Sequence, residues 1–197
     1  MKKIAAFALL GLAGWFVFFY QPAARWKGIP AAAEPKQTDK GLPKAFPYNG
    51  YLVTPLARYS ITAVVLSRDR YRFDPGAELA PIDLALGWGP MSIAGVINEL
   101  KISQSARWYE YTYGNEPPLD PQAMATHSAN THCLPANPEL RKQLLAVRRH
   151  DLVTLEGYLV EITNSEGYHW RSSLTRDDTG GGACEVMWIT SLARKKL

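Results

Sequence analysis

The sequence predicts an α+β protein: an N-terminal transmembrane helix followed by one β-rich domain, a small, partly closed barrel of the OB or SH3-like kind carrying two short helices. Three observations predict it. One unbroken apolar run opens the chain. Several β-branched and aromatic stretches follow, punctuated by glycine and proline. One of these stretches changes the parity of its apolar residues at a glycine, as a strand does when a bulge bends it to serve two sheet layers.

Residues 4–20 form the apolar run, about 26 Å of helix at ~1.5 Å rise per residue, which is the short limit for crossing a bilayer. Lys2 and Lys3 precede it, as in a signal sequence. Its end is the bulky Trp15-Phe16-Val17-Phe18-Phe19-Tyr20, and the nearest A-x-A, Ala31 to Ala33, lies well behind. The segment therefore reads as an uncleaved anchor in preference to a removed signal peptide, with the amino terminus inside and the remainder in the periplasm. Residues 1–27 are then the inner-membrane anchor and its flanks. Residues 28–47, with Pro30, Pro43 and Pro47 and no apolar period, read as an extended, mobile tether. Residues 48–197 form the globular part, and with 197 residues and 47% hydrophobic content one core is favoured over two.

The net charge of +4 resides in the membrane flanks, because Lys2, Lys3, Arg25 and Lys27 face no acid before residue 28. A domain without net charge lacks the electrostatic footprint of a nucleic-acid binder, so that class is excluded.

Residues 59–66 read as a strand, and Leu84 to Pro90 as an apolar stretch broken by glycines. Ile93, Val96, Ile97 and Leu100 behind Ser92 predict a short helix over 93–101. Residues 107–113 set three tyrosines on one strand face. Residues 114–135, with four prolines, read as a long irregular loop. Asn137, Pro138 and Glu139 then open a second helix that buries Leu140, Leu144 and Val147. The parity change falls at Gly157 within 153–162, and 168–174 with 185–192 reads as a hairpin.

Cys133 and Cys184, an even pair in an exported domain, read as a disulfide. Two free thiols are one alternative. A metal site of His127, His132, Cys133 and Cys184 is another, without the tight paired spacing of zinc motifs. Ser172 or Ser173 with His132 or His169 and Asp178 has the residue types of a hydrolase but no nucleophile elbow. The run 176–182 has glycines that cradle anions but no Walker lysine, and reads as a solvated turn. Trp88, Trp108, Tyr109 and Tyr111, with His132 and Arg176, are the candidate ligand-binding set; aromatics at strand spacing are also core material. No cofactor is expected.

Residues 83–92, the run Ser128-Ala129-Asn130-Thr131-His132 with Pro135-Ala136-Asn137, and Trp170 to Arg176 continuing through Asp178, Gly180 and Gly182 to Glu185 together resemble a group of single-anchor envelope proteins of Gram-negative bacteria. The resemblance implies an envelope location and carries over no activity, substrate or catalytic residue. The expected function is a non-enzymatic periplasmic module that binds an envelope protein partner or a small ligand. The alternative is a hydrolase or metal-dependent enzyme using His132 and its neighbours, which requires His132, His127 and a carboxylate or Cys184 to converge in an open cleft.

Overall fold

The computed structural model describes residues 23–74, 76–178 and 180–197. The anchor expected at residues 4–20 lies outside them. Among the described residues no helix is long and apolar enough to cross a membrane.

The domain is β-rich, and its sheet closes partly into a ring. Its organising element is β3 (Tyr51–Arg70), a strand long enough to pair antiparallel with β8 (Asp151–Thr163) through residues 52–64 and with β4 (Ile82–Gly87) through residues 64–70. From β4 the ladder continues antiparallel to β7 (Ser128–Pro135), parallel to β10 (Glu185–Lys196) and antiparallel back to β8. Side chains from all five strands meet in one cluster, among them Ile61, Val65, Leu84, Cys133, Leu155 and Met187. Leu144 and Val147 join them from α3 (Pro138–Ala146) and its cap. As expected, Asn137 Oδ1 accepts the Leu140 backbone N–H at 2.9 Å.

Outside the ring, a two-stranded hairpin of β5 (Lys101–Ser105) and β6 (Trp108–Thr112) packs over β3 and β4. It does so together with α1 (Ala94–Asn98) and α2 (Pro121–Thr126) through Ile97, Ile102 and Met124. A third cluster gathers Leu134, Val160 and Trp188 beneath Phe46, Tyr48 and Trp170.

Several sequence expectations change. Residues 28–47, read as a tether, pack on the domain: β1 (Lys36–Thr38) and β2 (Phe46–Tyr48) pair with β3, and Ala31 is buried. Strands this short show no alternation to read. The irregular loop 114–135 contains α2 and the inner strand β7; a strand covered on both faces carries no period-2 signal. Ile93 rather than Ser92 precedes α1, because the Ser92 hydroxyl donates to Gly89 O in a preceding 3-10 turn. The residues 168–174 and 185–192 do not form a hairpin; β9 (His169–Arg171) and β10 follow one another along the same edge of β8.

The bulge expected at Gly157 falls on its neighbours, at Thr190 of β10 and Leu56 of β3, while β8 runs on unbroken. Gly157 is needed for another reason. A Cβ there would sit 1.9 Å from Trp188 O, a backbone atom that cannot step aside. Gly157→Ala is expected to cost about 3 kcal/mol or more, since the two strands must part. Gly95→Ala, with nothing within 4 Å, should be neutral or slightly stabilising. Urea midpoints of the two variants make the comparison, and equal midpoints would refute it.

Candidate functional site

Strand register builds the site. Asp83 on β4 lies directly opposite His132 on β7, and both point away from the ring interior because Ile82 and Cys133, one step along, point into it. Asn130 occupies the same outer face two residues earlier. β10 runs parallel to β7 with Glu185 opposite Thr131, so Cys184, one residue before, arrives beside Asn130.

Asp83 is wholly buried, and a carboxylate there requires partners. Arg107 Nη1 donates to Asp83 Oδ1 at 3.1 Å, and His132 Nδ1 lies 2.9 Å from Oδ2, within ion-pair reach though off the line of a straight hydrogen bond. Arg107 comes from the turn of the β5–β6 hairpin, where Ala106 and Arg107 both have positive φ, 48° and 68°. Two consecutive left-handed residues make a two-residue turn that matches strand twist, at a steric cost that non-glycine residues bear only when held. Arg107 is held by Asp74 at 2.7 Å, by Ala80 O at 3.2 Å, and by the rings of Tyr71 and Trp170.

Burial lowers the affinity of His132 for a proton, while hydrogen bonding and charge from Asp83 and from Cys184 raise it. The second group prevails, and its pKa lies above the ordinary imidazole value. Trp170 packs against the imidazole at 4.7 Å between centroids. Cys184 is half-buried and also receives the Asn130 Nδ2 hydrogen at 3.7 Å. Asn130 is fixed on both sides: its Oδ1 accepts from Gln104 Nε2 at 2.7 Å and its Nδ2 donates to Arg107 O at 2.8 Å.

In front of Cys184 lies a cavity of about 380 Å³, the size of a small-molecule site. Trp88, Trp108, Tyr109, Tyr111 and Arg176, five of the six residues singled out from sequence, line it with Cys184 and Asn130. His132, the sixth, is not in the wall. Arg176 is not a free cation for an anion, because its guanidinium is paired with buried Glu185 and donates to Tyr59 Oη at 3.2 Å.

The other expectations separate. The two cysteines are free, not within disulfide distance, and on opposite faces of β7; the expected Cys133–Cys184 bridge is corrected by this alternation. The metal alternative loses its members the same way. Cys133 faces the ring interior, and His127 sits apart, its Nε2 3.2 Å from Glu34, whose carboxylate also accepts Trp88 Nε1 at 2.8 Å. Among the described residues no three His, Cys, Asp or Glu side chains gather as a metal set. Ser173 donates to Asp178 at 2.6 Å and Ser172 to Ser173 O, bonds that shape the turn, while His169 pairs with Glu161 at 2.8 Å.

Sequence reading missed Asp83, Asn130 and Arg107. The polar run Ser128 to His132 held the available signal: two polar side chains two residues apart occupy one strand face. Comparison with protein families, with curated proteins and with solved structures finds no match for this chain.

Proposed function

We propose that this domain is a cysteine-dependent acyl-transfer enzyme in which Cys184 is the nucleophile, His132 its base and Asp83 the group that orients His132. The supporting observation is the convergence of a thiol in the wall of one aromatic cavity with an imidazole and a wholly buried carboxylate behind it. Nucleophile, base and orienter in series is the arrangement that activates a weak nucleophile on any fold. This develops the enzymatic alternative and sets the non-enzymatic module second.

With His132 Nδ1 turned to Asp83, Nε2 is the nitrogen left for the thiol proton. Sulfur then attacks a carbonyl carbon, the C=O π pair moves onto oxygen, and collapse of the adduct expels a leaving group that takes the proton from His132. Water or an acceptor amine resolves the thioester through the same base. The cavity aromatics take up the acyl portion. In this reading the domain works in the periplasm, held at the inner membrane through residues 4–20, on a small barrel of the OB or SH3-like kind.

One observation favours the binding module: Trp108 is 51% exposed at the cavity mouth, as a partner anchor would be. Treatment with p-nitrophenyl acetate separates the two. Intact mass should gain one acetyl group, mapped to Cys184. Cys133 serves as internal reference, since it is fully buried and burial holds its thiol well above the usual range. Absence of an adduct at Cys184 would overturn the enzymatic reading and leave the binding one.

A further inference from the structure

The geometry points to Asn130 as a catalytic residue, the side-chain donor that stabilises the oxyanion formed when Cys184 attacks; this rests on the acyl-transfer reading. An amide side chain has two N–H donors in one plane. In Asn130 the plane is set by two bonds that involve no substrate: Gln104 Nε2 donates to Oδ1 at 2.7 Å, and Nδ2 gives one hydrogen to Arg107 O at 2.8 Å. The second bond assigns oxygen and nitrogen, because the Arg107 carbonyl can only accept and so requires Asn130 to present its N–H group there. The other hydrogen of Nδ2 is then directed at Cys184 Sγ, 3.7 Å away.

Nothing in the fold needs that last contact. A thiol sulfur is a weak acceptor at long range, and it adds little stability at a position already fixed twice. The contact gains purpose once sulfur bonds to carbon. The carbonyl oxygen of the adduct stands next to sulfur, within the sweep of a donor already aimed there, and the π electrons that move onto it need a preorganised N–H rather than water. Asn130 lines the cavity while being almost fully buried, so its donor works where surrounding water is sparse and an N–H to a developing charge counts for more. The carbonyl of Arg107 that fixes Asn130 belongs to the residue whose guanidinium holds Asp83. One hairpin turn thus positions both the orienter of the base and the oxyanion donor.

Two probes of the same sulfur test this in the full-length chain. Iodoacetamide alkylates a thiol by displacement at saturated carbon and forms no oxyanion. Acylation by p-nitrophenyl acetate forms one. Asn130→Leu keeps the approximate shape and removes the donor. It is expected to lower acylation about 10²–10³-fold while alkylation stays within about threefold of wild type. Asn130→Ser, polar but too short to follow the oxygen, gives the same split if leucine at this position prevents folding. A structural role would move both rates together, and that result, or equal acylation by variant and wild type, overturns the assignment alone. A wild type that alkylates at Cys184 but accepts no acyl group overturns the acyl-transfer reading, and this assignment with it.

Discussion

Arg107→Met is expected to destabilise the domain by about 3–5 kcal/mol, the cost of breaking a buried ion pair from one side. Asp83 has no exposed surface, and among the described residues Arg107 supplies its only permanent cation. Methionine retains much of the apolar stem that packs on Tyr71 and Trp170, so the measured loss reports mainly charge and hydrogen bonds. The pair to Asp74 adds little, because that carboxylate is a third exposed and screened by water. The double variant Arg107→Met, Asp83→Leu should recover part of the loss, since no uncompensated carboxylate remains. Urea denaturation of the three proteins decides it. A loss below about 1 kcal/mol for Arg107→Met would mean that His132 alone satisfies Asp83, against the expected cost of an unpaired buried charge.

How much of this fold the sequence carried depends on how far each feature is local. The cap of α3 was legible because Asn137, Pro138 and Glu139 act within one turn of each other. The two-layer character of β8 was legible too, since Val153 and Leu155 join one cluster and Val160 and Ile162 another. The bulges that permit it were not, because the extra residues Thr190 and Leu56 sit on other strands and are defined only by register. β7 was lost inside a presumed loop for a different reason. Its polar residues are Ser128, Asn130, Thr131 and His132, a composition that reads as coil until one sees what lies across each of them.

The site divides the same way. Aromatic density marked the cavity wall, because large rings close together in sequence on one hairpin also stay close in space. The chemistry behind that wall rests on Asp83 facing His132 from 49 positions away and on a parallel pairing that delivers Cys184. Parity alone would have warned against the disulfide had β7 been recognised: a cysteine adjacent to His132 on a strand points to the opposite face.

Removal of the imidazole is expected to have the larger effect on function. His132→Ala should slow acylation of Cys184 by about 10³-fold or more, because base and nucleophile act as a unit. Added imidazole should restore part of that rate by entering the space left behind, a response that a merely unfolded variant cannot give. The same variant tests the electrostatics. Burial opposes a charge on His132, whereas Asp83 and Cys184, the groups that face it, favour one and prevail. A folded-state pKa above the ordinary imidazole value means that protonation favours the folded state. This contribution is complete below about pH 6.5, the unfolded value, and is lost as pH rises through the higher folded one. Packing lost with the ring is independent of pH, so the stability gap between wild type and His132→Ala should be wider at about pH 5.5 than at about pH 8.5. Urea midpoints at the two pH values measure it. A gap that instead widens with rising pH would mean that desolvation outweighs Asp83, that His132 is held neutral by burial, and that the carboxylate steers the ring without charging it.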